Sequence, residues 1–320
     1  MLTKIEQKIV NSGVPKFTII ETLNGGNNKI YKADINDQKY CIKLFDEKDN
    51  RAAKRFIREL EALQILNANR VSNVPEIYKF DKDELVIIMK WIEGNRPTSS
   101  LNCINSIIDF IGELNVIYKL NSYENIADDA LLNENSINLQ IIERDKNLRS
   151  SSQQYQTKIV QTENLINNMI KFDNYDLKFE IYKKTLSPSD IGVHNMLEKN
   201  NSYYFLDFEY FGIDSIYKLI GDFLLHPNNE FTIEHNTFFL SHLCERFDLK
   251  KEVLGVVMYK LSIKWMLILF GRHNRFNENN GSKKNMYLEA AERYLILAAN
   301  FEKDLINVDL STILGTLRTT

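Results

Sequence analysis

The sequence predicts an α+β protein of two lobes, a small antiparallel sheet lobe followed by a large, mainly helical lobe. Three observations predict it. Short β-branched and aromatic runs, broken by Gly, Asn and Asp, fill residues 17–91. One segment of helical period interrupts them at 51–66. After Gly94 the short runs give way to long helical segments. The lobes are accordingly drawn at 1–92 and 93–320.

The strands of the first lobe are expected at 17–23, 30–35, 39–45, 77–80 and 85–91, with Gly25-Gly26-Asn27-Asn28 and Asn36-Asp37 as breaks. In the intervening helix, Phe56, Leu60, Leu63 and Leu66 repeat at helical spacing and would pack on the sheet, while Arg55, Arg58 and Glu61 fall largely elsewhere. Period-two alternation in the third strand puts Cys41, Lys43 and Phe45 on one face. In the second lobe, helices are expected at 103–120, 137–171, 233–247, 252–270 and 285–301, with the polar stretch 274–284 as an exposed loop.

Composition excludes several classes. At 320 residues, 44% hydrophobic and 26% charged, the chain is an ordinary globular protein and not a disordered one. Forty basic against forty-three acidic side chains leave a charge of -3, so nothing points to nucleic acid as a partner. Cys41, Cys103 and Cys244 form no CxxC pair, which points to a reducing, cytoplasmic setting. Residues 1–14 lack the apolar core of a signal peptide. The most apolar stretch, 253–270, carries Lys260, Ser262 and Lys264, and reads as a buried helix with no membrane span. No heptad or apolar patch fixes an oligomeric state.

Chemistry concentrates in 186–209, a hairpin dense in carboxylates. Asp190 and Asn195 are five residues apart on a loop, and Asp207 ends an apolar strand expected beside the strand that begins at Asn195. Such a set suits a nucleotide-bound Mg²⁺, which takes oxygen ligands from one or two side chains and from phosphates. Asn195 and Asp207 are the metal ligands expected. Phosphoryl transfer also needs a group that orients the acceptor hydroxyl and takes its proton. Asp190 is the candidate.

Asp190 with Asn195, then Asp207-Phe208-Glu209, resembles the catalytic and metal-binding loops of the aminoglycoside and choline phosphotransferases, relatives of the protein kinases. The resemblance implies a protein-kinase-like fold, ATP or GTP as phosphoryl donor, and a small-molecule hydroxyl as acceptor. It further implies that Lys43, in Tyr40-Cys41-Ile42-Lys43, grips the α- and β-phosphates with Glu59 as its helical ion-pair partner. Gly25, Gly26 and Asn28 resemble the loop that covers the phosphates. Met89 and Trp91, in the segment that ends at Gly94, resemble the hinge whose backbone pairs with adenine. Asp222 resembles an aspartate that steadies the catalytic loop. One position departs from the family: Pro188 stands where a histidine usually precedes the catalytic aspartate, and His194 lies beyond Asp190 and does not replace it.

Singly, these residues have plainer readings: Gly25-Gly26 as a hairpin turn, Lys43 and Glu59 as solvated side chains, Asp190 to Asn195 as a polar turn. Glu209 reads equally as a contact for a second metal or a cationic substrate and as a solvated loop carboxylate. Order and spacing together carry the resemblance. Only fourteen residues separate Asp207 from Asp222, which leaves little room for a peptide-docking activation segment and favours a small acceptor over a protein. The acceptor classes expected are sugars, aminoglycosides and amino alcohols. The alternative is a catalytically silent kinase-fold binding or scaffold protein, for which Pro188 is the best support.

Overall fold

The computed structural model describes residues 3–24, 27–132, 134–171, 183–275 and 281–304. The chain forms two compact units, one of Met1–Thr98 with Val193–Gly212, the other of Ser99–Gly192 with Ile213–Thr320.

The first unit is built on a five-stranded antiparallel sheet of β1 (Thr18–Asn24), β2 (Asn28–Ile35), β3 (Gln38–Phe45), β4 (Ile77–Asp81) and β5 (Val86–Lys90). Its order is β1-β2-β3-β5-β4. The β2–β3 connection is a two-residue turn in which Asn36 and Asp37 have φ of 52° and 61°, the left-handed pair that suits the twist of a tight hairpin. One face of the sheet buries Tyr31, Ala33, Tyr40, Ile42, Leu44, Val86 and Ile88 together with Ile9. Ile9 comes from α1 (Lys4–Asn11), a helix that the sequence reading did not anticipate and that a Thr3–Glu6 capping box starts. The other face meets α2 (Ala52–Ala68), where Phe56 packs edge-on against Phe45 at 5.5 Å.

The hairpin β7 (Met196–Lys199) and β8 (Ser202–Phe205) belongs to this sheet unit, although the boundary drawn at residue 92 had left it in the helical lobe. Backbone pairing explains the difference. Asn95 and Glu198 exchange hydrogen bonds of 3.0 and 2.7 Å, and the Phe205 N–H donates to the Asn73 carbonyl at 2.8 Å. Gly94 permits the approach, because a Cβ there would lie 2.9 Å from the Glu198 oxygen.

The second unit is mainly helical: α3 (Leu101–Leu120), α4 (Glu134–Ser151), α5 (Gln153–Gln156), α6 (Ile159–Lys171), α7 (Ile216–Leu225), α8 (Ile233–Phe247), α9 (Lys251–Arg275) and α10 (Gly281–Asp304). The short strands β6 (Lys184–Ser187) and β9 (Gly212–Ser215) pair with each other. The single helix expected at 137–171 is divided, since Ser152 is extended and its hydroxyl caps the next turn at the Tyr155 N–H. Of the loop expected at 274–284, Asn274 and Arg275 instead continue α9 and 281–284 begin α10, while 276–280 lie outside the described residues. No element had been expected at 216–225, where α7 lies.

Among the described residues, α9 is the one helix long and apolar enough to cross a membrane, and 89% of its most apolar window is buried inside the protein. It is the core helix of its unit. Two of its lysines are buried: Lys264 pairs with Asp129 at 3.1 Å, and Lys260 is 3% exposed. A second buried network joins Lys218 of α7 to Asp214 at 2.9 Å and to Asp222 at 2.6 Å. Asp214 also accepts the Leu131 N–H at 2.8 Å, tying the segment before α4 to the start of α7.

Candidate active site

Alternation along β3 turns Lys43 toward α2, where its ammonium is buried and lies 2.5 Å from Glu59 and 2.8 Å from Asp207. A helix residue and a residue just past β8 thus hold one strand lysine. Burial works against the Lys43 charge, but the Asp207 and Glu59 carboxylates more than offset it and keep the ammonium above its ordinary pKa. Glu59 is pushed up to about 7 by burial, against the pull of Lys43.

Asp207 has a φ of 64°. A left-handed non-glycine backbone is uncommon and costs free energy, and such residues cluster at functional sites. The adjoining backbone is fixed by the Leu206 N–H, which donates to the Asn195 carbonyl at 2.8 Å. That bond extends the register Met196↔Phe205 by one step and sets Asn195, in a short 3₁₀ turn, beside the Asp207 segment.

Glu209 is buried and tightly held, not solvated. Asn27 and Asn28 each donate an amide to it at 2.6 Å, one to each carboxylate oxygen, and Arg55 lies 3.5 Å away. Arg55 is itself 2% exposed and also pairs with Asp49 at 2.9 Å, which corrects its expected position off the packed face. Carboxylate oxygens of Glu59, Asp207 and Glu209 fall within 4.8 Å of one another. Three carboxylates here face the two cations Lys43 and Arg55, so negative charge is in excess. An all-oxygen donor set with surplus negative charge fits a hard divalent cation such as Mg²⁺.

The other expected residues fall as follows. Asn28 opens β2 and contacts Glu209, while Gly25 and Gly26 lie outside the described residues. Met89 is buried in β5, opposite Cys41 of β3 and Ile77 of β4. The Trp91 N–H donates to the Lys39 carbonyl at 3.0 Å, and the Lys32 ammonium sits over its ring at 4.5 Å.

In the second unit, Asp190 follows β6 through Pro188 and Ser189, whose φ is 62°. The Ser189 N–H donates to the Ser187 hydroxyl at 3.0 Å, closing the turn. One Asp190 oxygen lies 3.3 Å from Nε2 of His226. Asp222 is engaged by Lys218.

Sequence reasoning missed Arg55 and His226, placed Asn27 only within the phosphate-covering segment, and left Glu209 open. Arg55 precedes Glu59 by one helical turn, but that spacing alone does not mark it as buried. Nothing local marks His226.

No family model matches the chain, and no curated protein matches it. Solved structures do. A choline kinase from Cryptosporidium parvum Iowa II superimposes with a TM-score of 0.59 at 15% identity, covering 93% of each chain. Choline kinase LicA from Streptococcus pneumoniae gives 0.62 at 17% identity, over 91% of this chain and 97% of its own. The aminoglycoside phosphotransferase APH(2")-IIa, solved with streptomycin and ATP, gives 0.60 at 19% identity, over 90% and 97%. Matches that span nine-tenths of both chains identify the architecture as a whole: this chain carries the protein-kinase-like fold of the choline kinase and aminoglycoside phosphotransferase structures.

Proposed function

We propose that the chain is a small-molecule kinase that transfers the γ-phosphoryl group of ATP or GTP to a hydroxyl of a sugar, an aminoglycoside or an amino alcohol. The observation that carries this reading is Lys43, a buried strand lysine clamped by Glu59 and Asp207. A lysine so fixed presents a permanent positive charge, and phosphoryl transfer depends on fixed charge and positioning more than on covalent chemistry. The fold shared with kinases that act on small molecules supports it.

In this reading Lys43 binds the α- and β-phosphates, with Glu59 keeping its ammonium in place. Asn195 and Asp207 hold Mg²⁺, which when bound neutralises phosphate charge. Gly25, Gly26 and Asn28 contact the phosphates, and the Met89–Trp91 backbone receives the adenine or guanine ring. Asp190 accepts the proton of the acceptor hydroxyl as its oxygen bonds to the γ-phosphorus and the bond to the departing nucleoside diphosphate breaks. The protein works in the cytoplasm on soluble substrates.

The test is phosphate transfer from ATP and from GTP with Mg²⁺ to a panel of sugars, amino alcohols and aminoglycosides, with Asp190→Ala and Asp207→Ala beside the wild type. Turnover that both substitutions abolish supports the reading. Mg²⁺-nucleotide binding without turnover favours the silent scaffold, the second reading, which rests on Pro188 in the catalytic loop. No nucleotide binding overturns both.

A further inference from the structure

We propose that His226 is the positioning residue of Asp190, holding its carboxylate in the orientation that proton abstraction requires. The proposal rests on the kinase reading above and adds to it a group outside the catalytic loop.

The imidazole is fixed from several sides. His226 caps the C-terminus of α7, and its backbone N–H donates to the Phe223 carbonyl at 3.3 Å. Its ring meets Trp265 of α9 edge-on, with centroids 5.1 Å apart and planes at 86°. The backbone below it is pinned as well, because the Tyr294 hydroxyl of α10 donates to the Leu225 carbonyl. Only 9% of the His226 side chain is exposed.

The tautomer follows from the hydrogen bonds. The Asn228 N–H points at Nδ1 from 3.1 Å, so Nδ1 accepts. A neutral imidazole whose Nδ1 accepts carries its proton on Nε2. That nitrogen is the one 3.3 Å from Oδ1 of Asp190. The ring therefore presents its Nε2–H to the carboxylate from 3.3 Å, and restrains a side chain that is about one-third exposed. A base must be held in one orientation before it can act. Pro188 has no side-chain donor to supply the restraint from within the loop. His226 supplies it from the end of a rigid helix.

Three substitutions separate positioning from packing. His226→Phe keeps a ring against Trp265 and removes the donor. His226→Gln places an amide N–H where Nε2 stood. His226→Ala removes both. Orienting partners of this kind typically contribute about 10–100-fold to activity. We expect His226→Phe and His226→Ala to lower kcat by that factor with KM for the nucleotide unchanged, and His226→Gln to recover to within about fivefold of wild type. In an Asp190→Asn background the Phe substitution should cost no more than about twofold, because the two residues act as one unit. The wild-type imidazole should show the Nε2-protonated tautomer by ¹⁵N NMR. A His226→Phe enzyme with wild-type kcat, a His226→Gln as slow as His226→Phe, or an Nδ1-protonated ring would each overturn the proposal while leaving the kinase reading intact. A wild type that transfers phosphate to nothing would overturn the reading and this proposal together.

Discussion

Replacing Lys43 with methionine tests the centre of the structure most directly. The side chain keeps its length and most of its apolar stem, but the charge between Glu59 and Asp207 is gone. Glu59 is 2% exposed, and Arg55, one turn earlier on α2, is committed to Asp49 and Glu209. Removing one partner of a buried pair leaves an uncompensated charge and costs about 3–5 kcal/mol. Against a total of about 5–15 kcal/mol for a folded domain, that is a large loss. The sign of its pH dependence follows from Glu59. Burial already raises its carboxyl from 4.5 to about 7, and without Lys43 the folded value rises further. A carboxyl whose folded pKa exceeds its unfolded one contributes most stability below the unfolded value, and that contribution is lost as pH rises through the folded value. The deficit of Lys43→Met should therefore be larger near pH 8 than near pH 5. Adding Glu59→Gln removes the charge and should restore most of the stability while leaving nucleotide binding lost. Urea unfolding of wild type, single and double variants at both pH values, with Mg²⁺-ATP binding measured alongside, checks this. Equal stability of the single and double variants would refute the claim that the cluster's energetics turn on the Lys43–Glu59 pair.

Three further outcomes are expected. Lys218→Met strands Asp214, which is wholly buried and already raised by burial, so about 3–5 kcal/mol should be lost, more at alkaline than at acid pH, in chemical unfolding. Gly94→Ala drives a methyl group against the Glu198 carbonyl and the Leu197 side chain, and about 1–3 kcal/mol should disappear in thermal unfolding. Tyr155→Phe deletes the 2.5 Å hydrogen bond from the buried Tyr155 hydroxyl to Asp145 and should cost about 1–3 kcal/mol, with no effect on nucleotide affinity.

What the sequence determined by itself is what local periodicity encodes. The five strands of the sheet, α2, α3, α8 and the bulk of α9 and α10 follow from alternation and from 3.6-residue repeats, because those patterns state which face must be buried. The same alternation put Lys43 and Phe45 on one face of β3, and the structure packs α2 against that face. Motif spacing picked out Asp190, Asn195 and Asp207, and the fold their resemblance implied is the fold observed. The tertiary structure decided what touches what across the chain. Lys43 meets Asp207 over a separation of 164 residues, and Asn28 meets Glu209 over 181. No periodic signal spans such distances, since strand order and the return of the 193–212 hairpin to the sheet unit set them. Arg55 looked solvated because a buried arginine is legible only once its two carboxylate partners are in place. His226 was invisible for the same reason: a lone histidine after an apolar helix acquires meaning only when folding brings Asp190 to its Nε2 and Asn228 to its Nδ1.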